Sequence, residues 1–173
     1  MRWQVWCGGA LLAQALAAHA QAMPTRAPAL LIDPAHSSIG FEVRTRFGQR
    51  LEGDFPVYDG LVETLPDGRH LVRLRISTAA AQIPDKPRYT AWMRGENFFD
   101  TVRYPWMEFV SDPYTPGDLS EGGALSGRLT LRGTTRSESL ALAPSTCARP
   151  GLDCAVAVSG DIDRSRYGMD EWQ

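Results

Sequence analysis

Reactive side chains are sparse in this chain, and their spacing limits what they can do. Past residue 22 there are two histidines, His36 and His70, and two cysteines, Cys147 and Cys154. Neither histidine has a second one at metal-ligand spacing, and no H-E-x-x-H, G-x-S-x-G or glycine-rich phosphate loop occurs. His36, in "DPAHSS", reads as a turn residue bonded to backbone rather than as a general base. His70 opens an alternating stretch beside a turn and is expected to be exposed. Asp33, Asp100, Asp161 and Asp163 could converge in space, but aspartate at such positions ordinarily serves turns and strand ends. No nucleophile, base or metal set emerges. The protein is therefore read as a non-enzyme, with no catalytic residue, metal or cofactor expected.

The cysteines take their meaning from the start of the chain. "MRWQVWCGGALLAQALAAHAQA" has Arg2 as a minimal positive end, an Ala/Leu-rich stretch, and Ala20 and Ala22 at the positions a signal peptidase reads. Residues 1–22 are expected to be a cleavable secretory signal rather than an uncleaved anchor or an ordinary helix. The apolar stretch falls short of the roughly 20 residues a membrane span needs. Cys7 lies early in the segment, so no lipid-modified cysteine is read, and no later stretch is long enough to span a bilayer. Export to the periplasm leaves Cys147 and Cys154 as an even pair in an oxidising compartment. Between them "ARPGLD" holds Pro150 and Gly151 in the order that suits the centre of a type II turn. A disulfide stapling a hairpin loop fits better than a metal pair or a redox dithiol.

Composition bounds the partners. With 173 residues, 43% of them hydrophobic, and a net charge of -2, the chain suits one globular domain. No basic surface invites nucleic acid. Recognition must come from shape and apolar contact.

Period-two patterning supplies the elements that would carry such contact. Residues 23–30 read as an extended lead-in without periodicity, and the domain proper is taken as 31–173. In "SSIGFEVRTRF", Ile39, Phe41, Val43 and Phe47 share a face opposite Glu42, Arg44 and Arg46. "RLEGDFPVYDGLVETL" continues as strand-like pieces bent at Gly53, Pro56 and Gly60. Val72, Leu74 and Ile76 alternate with Arg73 and Arg75 in "HLVRLRIS". The pattern lapses from 78 to 100, where "RYTAWMRG" predicts about two helical turns ended by Gly95. Alternation returns in "WMEFVSD", is broken by the loop "PYTPGDLSEGG", and resumes in "ALSGRLTLRG". "TTRS" reads as a turn, followed by strands "ESLALAP" (Leu140 and Leu142 in phase) and "AVAVSGDI" (Val156, Val158 and Ile162 in phase). About seven strands with one or two short helices make the class all-β. Glycines 53, 127 and 160, inside otherwise good strands, favour strong coiling and hence a barrel.

"GENFFDTVRYPWMEF" concentrates rings among charges. Adjacent strand residues face opposite sides, so Phe98 and Phe99 share a core only if the backbone turns there. The alternatives are one ring in the core and one towards a ligand, or two core rings at a helix-to-strand corner. Arg44, Arg46, Arg73 and Arg75 are expected on a solvated outer face, the alternative being that one of them points inward to hold an anionic head group.

"IDPAHSSIGFEV", "RGENFFDTVRYPWMEFVSD", "LSGRLTLRGTTRSESL" and "DRSRYGM" occur in that order and together resemble the successive blocks of the YceI-like family of exported, lipocalin-like polyisoprenoid-binding proteins. The resemblance implies an antiparallel β-barrel of about eight strands with a short helical insertion. It also implies a quinone or polyprenyl lipid held in an apolar lumen, and no catalytic residues. Two departures stand out. Arg166 replaces the usual acid in the last block, and the chain stops at "GMDEWQ", where the family runs on into a closing strand. The barrel is therefore expected to be incompletely closed. The gap would be filled by another segment or by a second copy in a homodimer, or it would mark a shortened product. On this reading Phe41, Val43 and Phe47, Val72 and Leu74, and Phe109 and Leu129 line the lumen, with Trp92 and Phe98 at its mouth. The competing reading is a filled core in an interaction module that partners an exported or membrane redox protein.

Overall fold

Alternation along the sequence becomes alternation of faces. The computed structural model describes residues 29–45 and 47–169. The expected signal at 1–22, Arg46 and nearly all of the lead-in lie outside the described residues. In chain order the elements are β1 (Ala29–Leu31), β2 (Gly40–Arg44), β3 (Arg50–Asp54), β4 (Tyr58–Thr64), β5 (His70–Ser77), helix α1 (Pro87–Arg94), β6 (Trp106–Ser111), helix α2 (Pro116–Glu121), β7 (Gly123–Leu131), β8 (Thr134–Leu142) and β9 (Val158–Ser159), with a 3-10 turn at Arg164–Tyr167. Seven strands form one antiparallel sheet in the order β1-β4-β5-β6-β7-β8-β9, and β2 and β3 form a separate hairpin. The sheet curls into a half-barrel, and among the described residues β1 and β9 remain its unjoined edges. The hairpin is tied on through Asp54 and Gln82, whose backbones exchange hydrogen bonds of 2.9 and 3.0 Å.

The differences from the predicted strands have local causes. Pro56 lacks a backbone donor, and the second predicted strand divides there into β3 and β4. Strand β2 ends at Arg44, so Phe47 falls in the turn and not on the strand face. The predicted loop at 113–123 contains α2, begun by a capping box in which Thr115 and Asp118 satisfy each other's backbone donors. "TTRS" is strand rather than turn. The chain reverses instead at Arg132 and Gly133, whose φ angles of 48° and 70° are what a two-residue type I′ hairpin requires. The last predicted strand shrinks to two residues, and among the described residues β9 has a partner only on its β8 side. Val158 is left 41% exposed and Ile162 36%. Helix α1 forms where the sequence predicts it.

Arg44, Arg73 and Arg75 lie on the outer face, where Arg73 pairs with Glu63 at 2.9 Å and Arg75 stacks 4.1 Å from the Trp106 ring. The inner face carries Ile76, Met107, Phe109, Leu129 and Leu131, all buried in one cluster with Leu51 and Phe55.

Between β8 and β9 the cysteine loop closes as expected. Cys147 and Cys154 are disulfide-bonded, and Leu152 N–H donates to Arg149 O at 3.0 Å around Pro150 and Gly151, the latter at φ 85°. The cross-link shortens the loops open to the unfolded chain, and for so short a loop its loss should cost about 2 kcal/mol. A Cys147→Ser/Cys154→Ser variant is expected to show that drop in urea unfolding. An unchanged midpoint would mean that the loop adds nothing to the fold.

Candidate ligand-binding interior

Strand register assembles most of the predicted lining. Leu74 on β5 is opposite Phe109 on β6, which is opposite Leu129 on β7. Cross-strand partners project to the same side, so these three make one apolar row across the curl. Phe109 and Leu129 are buried and Leu74 half-buried. Val72, two residues from Leu74 on the same face, is half-buried near the sheet's end, where its N–H donates to Ser111 Oγ at 2.9 Å. The hairpin offers Phe41 and Val43 to this interior, both half-buried against the cluster.

Two of the strand glycines have a packing reason. A Cβ at Gly127 would meet the Phe109 ring at 2.7 Å and Val110 O at 2.5 Å, and one at Gly53 would strike the ring of its cross-strand partner Phe41. Each glycine leaves room for an aromatic ring to approach bare backbone, which is how coiled sheets use glycine.

The corner between α1 and β6 is packed with rings. Trp92 on α1 lies 5.0 Å from Phe98, and Phe98 lies 4.8 Å from Phe99 in an edge-on pair. Phe99 also meets Phe55 at 5.8 Å and Phe41 at 6.3 Å. Both phenylalanines are buried because the backbone turns at 96–99, so the helix-to-strand corner is the correct alternative. Phe47 stands apart from the other candidates. It is 84% exposed in the turn between β2 and β3, outside the interior.

Several residues that pattern reading missed close the other side. Tyr167 and Met169 are 2% and 3% exposed, seated in the same cluster. The Tyr167 hydroxyl donates to Glu138 Oε1 at 2.6 Å, and Arg166 donates to the same oxygen at 2.9 Å. Glu138 itself is 9% exposed on the inner face. Burial, and then the hydrogen bond to Glu138, push the Tyr167 phenol well above its ordinary value. Arg132, in the β7–β8 turn, donates to the carbonyls of Gly168 and Glu96 and so ties the C-terminal segment to the α1 corner. A signal for Glu138 was present: it stands in phase with Leu140 and Leu142, where an apolar residue would be routine. Arg166, which departs from the family block, finds its partner here.

Two surface depressions lie elsewhere. One of about 500 Å3 is lined by Arg94, Gly95, Glu96, Asp100, Val102 and Arg103, and one of about 160 Å3 lies between Ile39 and Tyr58. Neither is lined by any of the nine predicted lining residues. Asp100 is buried at a positive φ of 47°, with Oδ2 3.6 Å from Arg103 and without a hydrogen-bond partner. His36 bonds to the Asp33 carboxylate at 2.7 Å on the surface, and that bond holds the Asp33 carboxyl below its usual range. The turn reading of His36 holds, since its N–H donates to Asp33 O at 3.1 Å, and the ring adds a side-chain partner. His70 is half-buried beside the Tyr114 ring rather than exposed. Among the described residues no group of three His, Cys, Asp or Glu could hold a metal, and no helix is long and apolar enough to cross a membrane.

No curated protein sequence matches this chain significantly. Among solved structures it is similar to BcnA of Burkholderia cenocepacia, with TM-score 0.56 and 23% identity over 68% of this chain and 73% of that one. A polyisoprenoid binding domain from Saccharophagus degradans, implicated in plant cell wall breakdown, gives TM-score 0.52 and 17% identity, with 68% of each chain covered. A Campylobacter jejuni YCEI protein gives TM-score 0.46 and 23% identity, with 64% of each chain covered. For the first two of these the likeness is one of fold. The model of the YceI-like domain matches residues 31–173, nearly the whole stretch over which the curled sheet, hairpin and α1 corner are built, and the chain belongs to the YceI-like family.

Proposed function

We propose that this protein is exported to the periplasm and there holds an isoprenoid lipid of the quinone or polyprenyl type, for transport or storage, without catalysing a reaction. The observation that carries this reading is the apolar row Leu74–Phe109–Leu129 along the curled sheet, faced by Phe41 and Val43 of a separately hydrogen-bonded hairpin. A branched hydrocarbon tail has only apolar area to offer. At about 0.3 kcal/mol per heavy atom, enclosing some forty carbons supplies on the order of 10 kcal/mol. A flat patch would recover less and invite aggregation. The tail would run between the sheet and the hairpin, through the side where β1 and β9 are not joined. Family membership and the polyisoprenoid-binding neighbour support the ligand class. The apolar N-terminal stretch and the disulfide support export.

A second reading rests on the filling of that same space. Rings stand 4.8 to 6.3 Å apart at the mouth, and Tyr167 and Met169 are buried in the cluster. A solid interior would leave the protein as an interaction module whose open sheet edges recruit an exported or membrane redox partner, or a second copy of itself.

Solvent extraction of the purified protein followed by mass spectrometry separates the two. The binding reading expects an isoprenoid in near-stoichiometric amount, or uptake of an added long-chain quinone by the stripped protein. Neither bound isoprenoid nor uptake, with a stable protein partner co-purifying, would overturn it in favour of the module.

A further inference from the structure

The hairpin tip combines features that folding does not require. Arg44 and Arg50 are direct cross-strand partners, and like charges so placed repel. Their side chains are 64% and 61% exposed, and Glu42, two residues back along β2 and itself opposite Glu52, accepts from both at 3.3 and 3.4 Å. Beyond them the turn projects Phe47, 84% exposed, and Arg46 precedes it in "RTRFGQR", a run with three arginines and no acid. The turn is well formed. Thr45 N–H donates to Gln49 O and Gly48 N–H to Thr45 O, each at 2.9 Å, with Gly48 at φ 78°. Tyr89 Oη donates to Gln49 Oε1 at 3.2 Å, which brings the first turn of α1, with Arg88 and the preceding Lys86, alongside. A chain of net charge -2 thus carries a basic finger with an apolar ring at its end.

We propose that this tip docks the protein on an anionic phospholipid bilayer. Phe47 enters the headgroup–acyl boundary, Arg44 and Arg50 meet lipid phosphates, and Lys86 and Arg88 add attraction from the side. An apolar side chain among cations is the combination that binds such a surface, since burial and electrostatics act together there. Glu42 contacts both arginines while they stay 64% and 61% exposed. The proposal does not depend on what the interior holds, so its failure and that of the isoprenoid reading are separable.

The test is hydrogen exchange on the full chain with and without vesicles of phosphatidylglycerol and phosphatidylethanolamine, at low ionic strength. The expected result is slowed exchange at residues 45–49, absent with pure phosphatidylcholine vesicles and reversed by salt. Co-sedimentation of an Arg44→Gln/Arg50→Gln variant should fall about thirtyfold, as two lost surface cations imply, and Phe47→Ser should fall severalfold at unchanged thermal stability. Protection that omits 45–49, or equal protection on zwitterionic vesicles, would overturn the proposal. So would variants that sediment like the parent.

Discussion

Replacing Phe99 with alanine should cost the fold about 4 kcal/mol, the largest loss expected from any single side chain in the interior. The ring is 6% exposed and touches three others: Phe98 at 4.8 Å, Phe55 at 5.8 Å and Phe41 at 6.3 Å. These neighbours come from the hairpin, the segment after it and the α1 corner, so the ring joins parts that no strand ladder connects. Its removal leaves a cavity that can collapse only by moving the hairpin, and the hairpin is fixed by the Asp54–Gln82 backbone pair. Urea unfolding measures the loss. A change below about 1 kcal/mol would mean that the corner is loosely packed and that the interior there adapts freely.

Glu138→Ala should destabilise by about 2–3 kcal/mol. The carboxylate accepts from Tyr167 Oη and from Arg166, and without it the phenol of a residue 2% exposed has no partner. An orphaned buried hydroxyl costs about 1–3 kcal/mol. The Arg166 side chain is 42% exposed and can turn to water, so its share is small. The effect should be local as well as global. Amides at 165–169 should exchange faster in the variant, because Tyr167 and Met169 are held in the interior by this acid and by Arg132. Arg166→Ala should cost less than half as much. If Glu138→Ala matched the parent in both stability and exchange at 165–169, the carboxylate would not be what seats this segment.

That acid marks where sequence reading reaches its limit. Its position in phase with Leu140 and Leu142 says that it points inward, since side-chain direction in a strand has period two. It does not say what it meets. Tyr167 and Arg166 lie 29 and 28 residues away, and no periodicity spans a loop of that length. Phe47 shows the opposite error. It shares the parity of Phe41 and Val43, but the chain turns after Arg44, and parity has no meaning once the strand has ended. The turn predicted at "TTRS" is strand, because Arg132 and Gly133 just before it adopt the positive φ angles that make the reversal.

By itself the sequence determined the all-β class, the α1 helix, the inward row of Leu74, Phe109 and Leu129, the arginine-bearing outer face and the cysteine pairing. It also carried the family resemblance in four ordered blocks. All of these follow from interactions within a few residues, or from facing alternation repeated along each strand. Tertiary structure alone decided that the hairpin forms a separate sheet and that both Phe98 and Phe99 are buried. It also decided that the C-terminal segment enters the interior through Tyr167 and Met169, and that β9 is left with two residues. Each of these depends on contacts between segments far apart in the chain. Their free energy comes from how surfaces fit and which polar groups meet, and that is encoded in no single stretch.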